Sequence, residues 1–554
     1  MGRTETSFVK GAFILAIAAF ISKLLGALYR IPYQNLTGDT GMFVYQQVYP
    51  LYSILFIFAT AGFPVAISKM VSEKFAWGQE EEAYAIYRLS LVLLAIFGVI
   101  TFLLLYAGAP YISTWMGSKE MLTLPIRAAA WALLVLPVLA AMRGYSQGQE
   151  NMTPTAVSQV IEQLVRVMVI LLLSWWMMDN GYGVVYAGAG ALFAPFIGAS
   201  CALLLLGWMR TRTGERLRLQ GWKHQLRING SFSRRRVARE LVQLSLPICL
   251  GSLALPLYGV IDSFTVANFL IYSGWEPAQA IAVKGVFDRG QPLIQFGSFF
   301  AGALALSVVP AVAKARAEGE GKRAEGAGRT AMRLTMMLGL PAAVGLSLVA
   351  QPVNVMLYEN REGSLALGIL SFSIILAALT MVSTAILQGY GEVRRPAWYL
   401  LVGVGSKVIL NFFLVPLWGI EGAAVATILG YGVTTVLNLR WLGRAVQAPV
   451  FDWGEKKKGI LLALSAMIVV VGVVVLGGDM LVADASNRLG MSLISLVAVF
   501  SGALIYPFVL FRCKAITRAD LLRLSAGKQE RLLPRLEKWG LIEKENEKNS
   551  DGSL

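Results

Sequence analysis

One short word stands out inside an apolar stretch: Phe287-Asp288-Arg289-Gly290-Gln291-Pro292. A carboxylate and a guanidinium at bilayer depth each cost several kcal/mol unless they are paired, hydrated or used. The chemistry they point to is the movement of something charged or polar. On a helix the two neighbours point about 100° apart and cannot face each other, so at least one needs a partner elsewhere. Arg289 is the better anion ligand, because a guanidinium presents a planar fork to phosphate oxygens. Asp262 is a candidate partner or cation site, and Asp262 and Asp288 are the acidic candidates for proton or Na⁺ coupling.

Further cations lie in or beside apolar runs. Lys23 and Arg30 are seven apart and share a helix face, with Gly26 between them. A basic face lined by glycine admits an anionic group, although Arg30 at a helix end also has the option of snorkelling to the interface. Glu162 and Arg166 are four apart with the acid first, the favourable order for a self-neutralised pair. Lys407 and Asn411 repeat that spacing without a carboxylate, which leaves Lys407 freer to bind. Arg143, in Arg143-Gly144-Tyr145-Ser146-Gln147-Gly148, reads equally as a helix stop, a gate or a substrate contact.

The elements that must position these residues are membrane helices. The 554-residue chain is 56% hydrophobic and 15% charged, far below the roughly 25% charged residues of soluble proteins. Apolar runs long enough to span a bilayer lie near 9–29, 50–67, 89–107, 126–142, 157–177, 184–208, 241–270, 284–312, 331–349, 365–387, 398–417, 420–440, 460–477 and 489–510. The fold class is therefore an all-α polytopic membrane protein of about 14 transmembrane helices. The first run is too long for a cleaved signal peptide and has Lys23 inside it.

Net charge of +16 is distributed in alternate loops (209–240, 313–330, 440–459 and the tail after Arg512), while the intervening loops are nearly free of Lys and Arg. That is the positive-inside pattern, and it places both termini in the cytoplasm. It speaks for anionic headgroups, not nucleic acid. With one histidine and three cysteines at unrelated spacings, no zinc site, haem pair, disulfide framework or Ser-His-Asp triad is expected. Gly403-Val404-Gly405-Ser406-Lys407 lacks phosphate-loop spacing. Neither a metal nor any other cofactor is expected, and transport must run on H⁺, Na⁺, the membrane potential or the cargo's own gradient.

The chain also repeats itself. Gln147-Gly148 and Gln388-Gly389 each close an apolar helix, and at the same offset of 241 residues Arg166 falls on Lys407. Two parallel six-helix repeats follow: an N-lobe over 1–208, a basic linker over 209–240, a C-lobe over 241–441, two extra helices over 442–512 and a cytoplasmic tail over 513–554 with a short helix near 520–540.

These residues resemble the multidrug/oligosaccharidyl-lipid/polysaccharide exporter superfamily, in particular its polysaccharide-transport branch of stage V sporulation protein B-like proteins. Ser22-Lys23-Leu-Leu-Gly26-Ala-Leu-Tyr29-Arg30-Ile-Pro32, Gly62-Phe-Pro64-Val-Ala-Ile-Ser-Lys69, Arg289-Gly-Gln-Pro292 and Gln388-Gly-Tyr-Gly391 carry the likeness. The resemblance implies a monomeric flippase, not an enzyme, of a lipid-linked saccharide in a bacterial cytoplasmic membrane. It serves cell-wall, polysaccharide or spore synthesis, with an anion-binding cavity between the lobes.

The related lipid II flippase family has an Asp-Arg pair where Asp288-Arg289 fall, the Arg being a pyrophosphate ligand. Its first-helix Ser-Arg motif corresponds to Ser22-Lys23, and its second-helix Arg has no counterpart in Phe56-Ile57-Phe58-Ala59. The glycan thus stays open between lipid II and other polyprenyl-linked saccharides. Lys23, Arg30 and Arg289 are expected to hold the pyrophosphate, with Arg166 and Lys407 second. The rivals are a cation-coupled multidrug exporter, a membrane glycosyltransferase and a non-transporting envelope-assembly scaffold.

Overall fold

The structure, a computed structural model, describes residues 28–57, 62–212, 233–446, 456–482 and 487–513, residue 515, and scattered positions between 14 and 26. Lys23, the centre of the basic linker and the tail segment 520–540 lie outside the described residues. Among the described residues every extended element is a helix, and ten helices are long and apolar enough to cross a membrane. Large apolar side chains such as Leu104, Trp115, Leu204 and Phe500 stay exposed along them, as lipid-facing surfaces require.

The chain forms two compact units, residues 1–296 with 404–426 and residues 297–403 with 427–554. This partition follows packing, whereas the six-helix repeats are a pattern of the sequence. The first unit begins with α1 (Arg30–Ile57), α2 (Phe63–Ala76), α3 (Glu80–Trp115), α4 (Lys119–Ala130), α5 (Ala132–Gly148), α6 (Thr153–Asp179) and α7 (Val184–Arg212). It continues with α8 (Arg234–Ser252), α9 (Ala254–Tyr272) and α10 (Pro277–Asp288). Then α11 (Gln291–Gly297) leads into α12 (Phe299–Ala317).

Several predicted spans are interrupted, each for a local reason. Within α1, Gly38 has φ 68° and ψ −173°, a left-handed φ that glycine adopts without a Cβ penalty. The span expected over 50–67 is divided between α1 and α2; Pro64 stands in the first turn of α2, where its missing N–H costs nothing. The run 284–312 is broken into α10, α11 and α12. Asp288 ends α10 and Arg289 caps it, so the charged word sits at a helix break. Irregular backbone at membrane depth is tolerated where it is enclosed by protein.

Three close approaches position the helices that carry the charges. A Cβ on Gly285 of α10 would lie 2.0 Å from the Asp39 carbonyl oxygen, so α10 meets α1 backbone to backbone. On Gly198 of α7 it would lie 2.6 Å from the Glu162 carbonyl oxygen. On Gly62 it would lie 2.4 Å from the Ser245 carbonyl oxygen of α8. Small residues at such seams let helices pack tightly where lipid offers no hydrophobic drive between them. Buried Gln47 of α1 adds polar ties, donating to the carbonyls of Met116 (2.9 Å) and Ser263 (2.5 Å).

The second unit contains α12, α13 (Gly321–Leu348), α14 (Ala350–Tyr358), α15 (Ser364–Leu370) and α16 (Ser373–Gly389). Most of α17 (Arg394–Val446) also belongs to it, with α18 (Lys456–Leu481) and α19 (Arg488–Arg512). Gly419, at φ 60°, divides α17 between the spans expected at 398–417 and 420–440. Here the buried polar groups are neutral. Thr380 and Thr435 share a 2.9 Å hydrogen bond, and Asn438 donates to Ser383 and Thr384 at 3.1 and 3.0 Å. Such bonds glue transmembrane helices at roughly 0.6 kcal/mol each.

Candidate functional site

The buried charges gather in the first unit. Arg30, the first residue of α1, is 2% exposed. Its guanidinium stands 4.5 Å from the centre of the Tyr49 ring and donates to Gln295 Oε1 at 3.1 Å. Among the described residues no carboxylate lies within ion-pair distance of it. It does not snorkel; the tyrosine face supplies part of what water would.

Arg289, 1% exposed, is held by Asp39 at 3.2 Å, and Gln34 donates to the same Asp39 oxygen at 3.0 Å. Asp288 turns back along its own helix to Lys284, Nζ to Oδ1 2.5 Å, while Asp288 Oδ2 is buried without a partner among the described residues. The neighbours Asp288 and Arg289 thus take separate partners, as their 100° separation demands.

Lys407 is not the free ammonium that its spacing predicts. It is fully buried and paired across helices with Asp262 of α9 at 2.7 Å, and it donates to the Tyr258 carbonyl at 3.0 Å. Asn411, one turn on, donates to Thr265 at 2.7 Å and lies 3.5 Å from Asp262. The carboxylate missing from the i,i+4 pattern comes from another helix, which sequence spacing does not reveal. Both acidic candidates for ion coupling therefore already hold an ammonium.

Glu162 and Arg166 do pair along α6, at 2.5 Å. The pair is not closed, however: Arg143 of α5 takes the other oxygen of Glu162 at 2.9 Å and donates through Nε to Ser158 at 3.0 Å. One carboxylate thus serves two guanidiniums. Arg166 also stands 5.7 Å from the Phe56 ring centre.

Between Arg30 and Arg166 runs a row of rings on α1. Tyr45, Tyr49, Tyr52 and Phe56 follow one another with centroid separations of 5.7, 6.3 and 5.8 Å. Their spacing of four, three and four residues places them on one helix face. That stripe is a pattern of the sequence, and the span expected over 50–67 covers only its second half, Tyr52 and Phe56.

Among the described residues of this group, six cations (Arg30, Arg143, Arg166, Lys284, Arg289, Lys407) thus meet four carboxylates (Asp39, Glu162, Asp262, Asp288), two more positive charges than negative. Buried charge without a partner is strongly unfavourable, so such a surplus suits an anionic ligand. Among the described residues no group of three His, Cys, Asp or Glu side chains could hold a metal ion.

Residues 8–316 match the polysaccharide biosynthesis protein family, and residues 247–413 match the MatE family. An uncharacterised membrane protein of Bacillus subtilis (strain 168), YabM, is 35% identical over 92% of this chain and 94% of its own length. The lipid II flippase MurJ of the same organism is 32% identical over 77% of this chain and 81% of its own. A solved structure of a lipid II flippase MurJ in an inward closed conformation superposes with a TM-score of 0.61 at 13% identity, covering 89% of this chain and 98% of that one.

Proposed function

The chain belongs to the polysaccharide biosynthesis protein family, within the multidrug/oligosaccharidyl-lipid/polysaccharide exporter superfamily, and from that premise we propose that it is a flippase of a polyprenyl-pyrophosphate-linked saccharide. The cargo moves from the inner to the outer leaflet by alternating access, for cell-wall or polysaccharide synthesis. One observation carries the reading: Arg30 is a buried guanidinium with no carboxylate partner among the described residues, in the same unit as Arg289. A guanidinium held ready in a dry site is a ligand for phosphate oxygens. Arg30 and Arg289 bind the pyrophosphate, with Lys23 as the further cation that the sequence offers. Lys407 holds Asp262 and acts through that pair.

The membrane potential is the energy source this arrangement favours. An inside-negative potential draws an anion outward by about 2.3 kcal/mol per charge per 100 mV. Asp262 and Asp288 each hold an ammonium, Lys407 and Lys284 respectively, and neither is assigned a coupling role. The MatE match over 247–413 supports a second reading, a cation-coupled multidrug exporter. A site with more cations than carboxylates disfavours cationic drugs.

The test is outer-leaflet accessibility of lipid II in cells depleted of their native flippase and expressing this chain. Wild type delivers lipid II outside, and Arg30→Gln or Arg289→Ala, inserted at normal levels, leaves it inside. Full activity of both variants would remove these arginines from the reading. Retention by well-expressed wild type would point to another lipid-linked glycan.

A further inference from the structure

The Arg143–Glu162–Arg166 group has no task in holding a pyrophosphate at Arg30 and Arg289, yet it is built as a binding site. Glu162 has two oxygens, and each is taken by a different guanidinium, at 2.9 and 2.5 Å. The group keeps one net positive charge. A guanidinium carries five donors, so most of the donors on the two arginines remain for other acceptors, and Arg166 Nε has none among the described residues. The side chains of Arg143 and Arg166 are 11% and 13% exposed, against 0% for Lys407 and 1% for Lys284. The two structural lysine pairs are sealed, whereas this group is partly open.

Its place relative to Arg30 is set by α1. Arg30 stands over Tyr49, Arg166 over Phe56, and Tyr52 lies between them in the ring row. Seven residues of helix separate the two contact points by about 10 Å, roughly the length of a disaccharide. Tyr52 is 3% exposed, its hydroxyl has no partner among the described residues, and it lies within electrostatic range of both Arg166 and Glu162. Aromatic faces with a polar tip suit sugar rings, which present C–H faces to π-systems and hydroxyls to hydrogen-bonding groups.

Resting on the flippase reading, we infer that the Arg143–Arg166 pair is a second anion site that selects an acidic saccharide, one bearing a carboxylate or phosphate on its glycan besides the pyrophosphate that links it to the lipid. The linking pyrophosphate sits at Arg30 and Arg289, the sugar lies beside the partly exposed rings of Tyr49 and Phe56, and the glycan's own anion meets the donors that Glu162 leaves over.

The full-length protein in lipid nanodiscs is titrated with undecaprenyl-pyrophosphate carrying a neutral N-acetylhexosamine disaccharide or the matching disaccharide with a uronic acid, read by native mass spectrometry. Wild type is expected to prefer the acidic glycolipid by about tenfold, the worth of one charge-assisted contact. Arg166→Gln is expected to bring that ratio close to one, and Arg166→Lys to restore part of it. Equal binding of the two glycolipids by wild type overturns the inference without any variant. A preference that survives in Arg166→Gln overturns the assignment to this pair. Failure of wild type to bind either glycolipid overturns the flippase reading, and the inference with it.

Discussion

Arg166 and Lys407 stand 241 residues apart, at places the expected sequence repeat would match, and the structure uses them in opposite ways. Lys407 is a compact point charge, fully buried, matched one-to-one by Asp262 and tied to the Tyr258 carbonyl. Arg166 is a planar fork, partly open, sharing its carboxylate with Arg143. The lysine region is neutral and holds α9 against α17; the arginine region is positive and has donors to spare. A charge at membrane depth is therefore not in itself a sign of binding. The ratio of cations to carboxylates around it separates a strut from a ligand site.

The strongest way to break this contrast is to remove Lys407. Lys407→Met leaves Asp262 buried and unpaired, an expected loss of about 3–5 kcal/mol, seen as a large drop in the melting temperature of detergent-solubilised protein. Lys407→Met combined with Asp262→Leu is expected to recover most of it, because replacing both partners removes the stranded charge. An unchanged melting temperature in the single variant would refute the strut. The arginine counterpart is Arg143→Gln with Arg166→Gln, which strands Glu162 and is expected to cost a similar amount.

A smaller effect tests the frame that brings Arg289 to Asp39. Gly285→Ala places a methyl 2.0 Å from a backbone carbonyl that has no side-chain freedom to yield. Overpacking of this kind costs about 1–3 kcal/mol, and it moves α10 away from α1. Both melting temperature and outer-leaflet delivery are expected to fall. Delivery at the wild-type rate would show that the Asp39–Arg289 distance is not critical.

Much of this was legible without coordinates, because bilayer thickness fixes the length of an apolar run. The spans at 157–177, 184–208 and 489–510 lie inside α6, α7 and α19. The breaks were less legible. Those at Gly38 and Gly419 carry a glycine at positive φ, but Trp131 and Leu253 interrupt helices with no breaker residue of their own. Polar Gln46 and Gln47 dilute the hydropathy of α1 and hid its start, and with it half of the tyrosine stripe. In the charged site, Lys284 lies four residues before Asp288 and was readable as an i,i+4 partner. Asp39, 250 residues from Arg289, was not. Nor was Arg143 on Glu162, since the register between neighbouring helices is set by packing, here by Gly198 against the α6 backbone.

The smallest expected effect sharpens the comparison most. Arg166→Gln alone leaves Glu162 in its 2.9 Å ion pair with Arg143, so no buried charge is stranded. The change in stability is expected to be well below the loss for a stranded buried charge, because Glu162 keeps one counter-ion. Arg143→Gln should mirror it, with Arg166 keeping the other oxygen. The double variant should then cost far more than the two singles together, as expected when two residues share one partner. The Lys407 region can show no such pattern, because its lysine and carboxylate are matched one to one. Additive costs for the two arginines would mean that Glu162 does not bridge them, and the positive charge left over at this place would lose its basis.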